Sequence, residues 1–152
     1  MRDIKFTVRL LPSGEAVPSP HEVSAVFLIA LADKNIVAIR NQRGWDIPAG
    51  HMESGESLLG AIHREAQEEA SMKFKNAIPF VTVTSTSEEP KYKDKCMVGF
   101  ATKDFALEEF VPATDSYERE VMNDEAFLSL YQSDKENMRL MITAAHSLLF
   151  RH

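Results

Sequence analysis

From Val23 to Leu31 every residue but Ser24 is apolar. The run is far shorter than the roughly 20 residues a membrane-spanning helix requires, and a strand with no polar face must be covered on both sides. The chain is therefore expected to hold a buried central strand between two packed layers. Asp33, Lys34 and Asn35 supply a hairpin turn into a second strand, Ile36–Asn41. Upstream, Ile4, Phe6, Val8 and Leu10 alternate with Lys5, Thr7 and Arg9, the period of a half-buried strand. Pro12, Ser13 and Gly14 break the chain after it, and Pro18, Ser19 and Pro20 break it again.

Downstream, Leu58, Leu59, Ile62, Ala66 and Ala70 recur at helical spacing and predict a helix from about Ser57 to Ala70. Val81, Val83 and Ser85 open a strand-like run, the polar, lysine-rich stretch from Ser87 to Lys95 reads as a loop, and Met97–Thr102 and Tyr117–Met122 read as strands. A closing helix is expected behind a capping box of Ser133 and Glu136, with Met138, Met141, Ile142, Ala145 and Leu148 as its buried stripe. No repeat, low-complexity tract or long linker interrupts this order. Strands, helix, strands and helix predict an α/β sandwich with a mixed sheet, one domain over residues 1–152.

The 152 residues carry 17 Lys plus Arg against 23 Asp plus Glu, a net charge of −6. That sign argues against a general nucleic-acid binder, which needs cations to meet phosphates. It leaves room for a small phosphorylated ligand, because a bound divalent ion inverts the local field. The single cysteine, Cys96, excludes an internal disulfide framework and a cysteine-rich zinc site, and is expected to be a small core residue. With no long apolar run and no signal-peptide pattern at the N-terminus, the expected setting is the cytoplasm, away from membranes, as a monomer or homodimer.

The expected first helix carries the chemistry. At roughly 100° per residue, Glu65 and Glu69 stack one turn apart and Glu68 lies beside both. Glu69 falls within the arc of Leu58 and Ile62, at the edge of the buried stripe. Like charges four apart repel by a few tenths of a kcal/mol even in water, and by more when partly buried. A hard cation removes that repulsion, and Mg²⁺ is commonly held by such oxygens. The plainer reading is a solvated acidic face in which Arg64 pairs with Glu68.

The flanking residues favour the metal. Residues 50–72 resemble the Nudix box: a glycine, then glutamate, Arg-Glu, an aliphatic, Glu-Glu, a glycine and a closing aliphatic. Gly50, Glu56, Arg64, Glu65, Ala66, Glu68, Glu69 and Met72 fill eight of nine specified positions. Gly44-Trp45-Asp46-Ile47-Pro48 also resembles the strand that leads into this box in many members. Ser71 departs from the pattern where the family has glycine, and Ala49 where a second glycine commonly precedes Gly50. At the helix C-terminus Ser71 is expected to cost stability rather than chemistry, whereas a methyl at Ala49 is placed to crowd the phosphates.

The resemblance implies a Nudix α/β/α sandwich and a hydrolase that cleaves a phosphoanhydride in a nucleoside diphosphate linked to another moiety. Mg²⁺ or Mn²⁺ would be the cofactor, and a nucleoside triphosphate is the favoured small-molecule substrate. Glu65, Glu68 and Glu69 are implied as metal ligands and catalytic residues, with Glu65 also orienting or deprotonating water. The backbone carbonyl of Ala49 or Gly50 would add an oxygen, and Glu56 with Arg64 would form a structural ion pair. One further acid from outside the box is expected among Asp115, Glu118, Glu120, Glu88 and Glu89. Lys91, Lys93 and Lys95 are placed to reach a polyphosphate or only to keep their loop soluble. Trp45 reads as core before base-stacking platform, and His51 and His63 as surface side chains before ligands. The alternative is a catalytically silent Nudix-fold module that binds nucleotide or regulates.

Overall fold

A computed structural model describes residues 5–12, 16–86 and 95–150. Ile4, Ser13, Gly14, Glu88, Glu89, Lys91 and Lys93, and most of the loop read at 87–95, lie outside those residues. Ten strands and three α-helices follow in the order β1 (Lys5–Leu10), β2 (Ala25–Ala32), β3 (Asn35–Asn41), β4 (Gly44–Asp46), β5 (Ala49–His51), α1 (Leu58–Ala70), β6 (Met72–Lys75), β7 (Ile78–Thr86), β8 (Lys95–Thr102), β9 (Asp104–Leu107), β10 (Glu118–Asn123), α2 (Asp124–Leu130) and α3 (Lys135–Phe150).

The apolar run does what its composition requires. β2 lies inside a sheet ordered β1-β7-β8-β2-β3-β10 and pairs parallel with β8 and antiparallel with β3 and β5. The sheet is thus mixed. Phe27, Ile29 and Leu31 join a core beneath α2 and α3, with Phe127, Met138, Met141 and Ile142. Val26, Leu28 and Ala30 join a second core beneath α1, with Leu58, Ala61, Ile62 and Ala66. Successive side chains of one strand feed opposite layers, so neither face can be polar. This is an α/β/α sandwich. Gly99 on β8 is required where it crosses β2, because a Cβ there would stand 2.4 Å from the Phe27 ring.

Four local readings change. β1 is an edge strand on β7, and Phe6 (40%) and Leu10 (46%) are exposed while Val8 packs partly buried against the core, so the alternation keeps little of the burial. α3 is capped by Asp134, whose carboxylate accepts the Asn137 N–H at 3.0 Å, and not by the box of Ser133 and Glu136. Leu149, not Leu148, closes its buried stripe, since a helix drifts off a fixed three- or four-residue step. Cys96 is half-buried near the start of β8 rather than in either core, and burial still pushes its thiol pKa up. α2 was not foreseen; its seven residues hold too few apolar positions to show a period.

Candidate active site

Ser57 caps α1 by accepting the Gly60 N–H at 2.9 Å, which fixes where the acidic helix begins. β5 then runs beside it, pinned to β2 through Val26 and Gly50. At Gly50 a Cβ would lie 2.0 Å from the Glu65 carboxylate, so only glycine lets strand and helix approach this closely. Gly50→Ala is expected to displace the end of a flexible side chain rather than unfold the chain. Activity should therefore fall by tenfold or more while the melting temperature moves little, and parallel loss of both would contradict this.

Arg64 organises the polar side of the helix. Its Nε and Nη2 donate to the two Glu56 oxygens at 2.8 and 2.9 Å, and Nη2 also reaches the His51 carbonyl at 3.0 Å. This fork ties the loop before α1 to the helix, and it holds the Glu56 carboxyl down to about 2. Arg64 Nη1 donates to Glu65 at 2.7 Å and lies 3.4 Å from Glu68. Glu65 is the most buried of the three glutamates, at 7% exposure, because β5 covers it; Glu69 is half-buried and Glu68 is exposed.

Glu69 accepts the Ala49 N–H at 2.8 Å. Burial nevertheless raises its pKa to about 7, and the charges of Glu65, Asp46 and Asp115 add to that rise. Glu65 is raised as well, by burial against the opposing pull of Arg64. Among the described residues no three Asp, Glu, His or Cys side chains meet at one point. The donor set still fits a hard divalent cation. It consists of carboxylate oxygens, two of them drawn out of water, with more negative than positive charge around them.

Glu65, Glu68, Glu69, Gly50 and Asp115 all line one open cleft of about 1030 Å³. Among the described residues Asp115 is thus the one expected outside acid that lines it, and Glu108 and Glu109 line it too. Glu118 instead pairs with Arg40 at 2.5 Å, and Glu120 sits on the exposed edge strand β10; neither lines the cleft. Trp45 packs partly buried against the core under α3, and His63 stacks on Phe74 at 4.0 Å, so neither faces the cleft. His51 is exposed at the cleft wall and Lys95 is exposed at the start of β8. A smaller cavity of about 330 Å³ adjoins the cleft, with Phe27, Val83, Met97 and Met138 in its lining and Arg43, Ala49 and Met97 bordering both.

Ser71 is left-handed, at φ 49°, as its place at the helix end demands. Its hydroxyl is engaged, however: it accepts the Val111 N–H at 3.0 Å. A glycine here would relieve the backbone and lose this bond, so the two effects on stability oppose each other. Ser116 and Arg119 also went unforeseen. Ser116 donates to the Glu69 carbonyl at 2.5 Å, and Arg119 to the Ala70 carbonyl at 2.7 Å. Their partners lie almost fifty residues away in sequence, beyond the reach of any local pattern.

The NUDIX domain pattern matches residues 12–139, and the chain belongs to the Nudix family. Its structure is similar to that of a MutT NUDIX hydrolase from Burkholderia pseudomallei, at 16% identity and a TM-score of 0.61 over 79% of this chain and 95% of that one. The mMutator MutT protein from Bacillus halodurans is similar at 19% identity and 0.61, over 80% of each chain. A pyrophosphohydrolase from Bacillus subtilis is similar at 18% identity and 0.56, over 77% of this chain and 72% of that one. At these identities the likeness is one of fold. No protein of curated function matches the chain. By family, the chain is a Nudix hydrolase.

Proposed function

We propose that this chain is one Nudix domain that hydrolyses a phosphoanhydride bond in a nucleoside diphosphate linked to another moiety, with a nucleoside triphosphate as substrate and Mg²⁺ or Mn²⁺ as cofactor. The observation that carries the reading is the pair Glu65 and Glu69, half-buried or more and held above the usual carboxylate range by burial. Such groups lower the stability of a fold unless a cation meets them. Glu65, Glu68 and Glu69, with the Gly50 carbonyl, would hold the metal. When bound, the ion neutralises phosphate oxygens and acidifies water. Glu65 would then orient the attacking water or accept its proton, while Glu56 keeps Arg64 locked against the loop. The adjoining apolar cavity offers a seat for the base.

A small nucleotide in the cytoplasm, met by a monomer or homodimer, suits the net charge of −6 and the absence, among the described residues, of any helix long and apolar enough to cross a membrane. The silent binding module is the second reading, favoured by the engagement of Glu65 and Glu68 with Arg64.

Hydrolysis in ¹⁸O-labelled water, across nucleoside triphosphates, ADP-ribose, dinucleoside polyphosphates and nucleotide sugars, separates the two. With Mg²⁺ or Mn²⁺, label should enter a phosphate-containing product and never the sugar carbon. Nucleotide binding without cleavage under either metal would leave only the binding module standing.

A further inference from the structure

Ser71 ends α1 at φ 49° and ψ 49°, where a side chain costs about 1 kcal/mol relative to glycine. The strain has a visible counterpart. Ser71 is 3% exposed; its hydroxyl accepts the Val111 N–H and its carbonyl accepts the Glu108 N–H at 2.9 Å. Fully buried Ser116 hangs on the backbone carbonyl of Glu69, and Arg119 bridges the carbonyls of Ala70 and Glu108 at 2.7 and 2.8 Å. The segment from Glu108 to Asp115 held by these bonds is a wall of the cleft. Of its three acids, Glu108 is engaged by Gln67 and Lys73 and Glu109 lines the cleft beside it, whereas Asp115 directly precedes the residue anchored on Glu69 and its charge bears on the Glu69 carboxylate. A glycine at 71 would supply the left-handed turn but no acceptor for Val111.

We propose that Ser71 is a positioning residue whose hydroxyl, together with Ser116, fixes this wall so that Asp115 joins Glu65, Glu68 and Glu69 in holding the divalent ion. The departure from the family glycine thus becomes a working part of this site. The inference rests on the metal-dependent reading above.

The test uses the full chain carrying Ser71→Gly, Ser71→Ala, Asp115→Asn, and Ser71→Gly combined with Asp115→Asn. Three quantities are read: exchange at the Val111 amide, Mn²⁺ affinity by electron paramagnetic resonance, and turnover. Losing one hydrogen bond of about 1 kcal/mol should speed Val111 exchange about fivefold. Both Ser71 variants should show it, and both should weaken Mn²⁺ binding and turnover in the same direction as Asp115→Asn, although glycine relieves the backbone and alanine does not. Adding Ser71→Gly to Asp115→Asn should change Mn²⁺ affinity no further.

A helix end that is merely structural gives the opposite split, with Ser71→Gly at or above wild type and only Ser71→Ala impaired. That split overturns the proposal, as does a Ser71→Gly effect that persists in full without Asp115. Wild-type protein that binds no Mn²⁺ defeats the metal reading itself. Wild-type protein that binds it, with affinity untouched by Ser71→Gly, defeats this inference alone.

Discussion

Glu68→Gln is expected to remove metal-dependent turnover by about a hundredfold or more while leaving the fold as stable as before. Glu68 is exposed and its contact with Arg64 spans 3.4 Å, so the folded chain gains almost nothing from its charge. Glutamine keeps the shape and loses one anionic ligand oxygen. Losing several kcal/mol of stabilisation at the developing phosphate charge corresponds to that factor. Glu65→Gln should behave differently. It should lower kcat far more than it raises KM, because its charge acts on the transition state rather than on the bound substrate. It should also cost some stability, since Arg64 donates to that carboxylate at 2.7 Å. Full turnover by Glu68→Gln, with unchanged metal dependence, would remove it from the ligand set.

The second large effect is on stability without metal, and its sign is fixed by linkage. Unfolded Glu69 titrates near 4.5 and folded Glu69 near 7, so ionisation is disfavoured in the fold. The metal-free protein should lose stability as pH rises from about 4.5 to 7 and remain at the lower level above that. At 1.36 kcal/mol per pKa unit the loss is about 3–4 kcal/mol. Glu69→Gln should abolish it while still accepting the Ala49 N–H, so the variant should gain that much over wild type at pH 8 and almost nothing at pH 4.5. Glu56 works in the opposite sense and in another window. Held at about 2 by Arg64, it contributes stability above 4.5 that is lost as pH falls towards 2. Urea denaturation of both proteins across pH, with chelator, measures the difference. A difference independent of pH would show that Glu69 is not under this burden, and Mg²⁺ should close the gap at pH 8.

Much of this was legible locally. The apolar run at Val23–Leu31 called for cover on both faces, and β2 feeds two cores through alternate residues. Helix α1 spans Leu58–Ala70 where the spacing put it, although Glu65 rather than Glu69 is the most buried of its acids. Both follow from repeats short enough to be read within one element. At an edge or an end the same patterns misled. β1 alternates with little burial because it is an edge strand in which Val8 alone packs on the core, and Leu148 yields its place to Leu149 because the drift of the helix depends on what α3 packs against.

The sequence by itself determined the central strand that needs a layer on each face, the acidic helix and the membership of Glu56 and Arg64 in its approach, because each is written in neighbours a few residues apart. Only the tertiary structure decided which of the described acids outside the box line the cleft, and which glutamate is most buried. Asp115 lines it beside Ser116, which hangs on Glu69 by a bond across 47 residues. Glu65 is covered because Gly50 lets β5 lie against it. Such choices are made by backbone hydrogen bonds and close approaches between distant segments, and these exist only once the chain has packed.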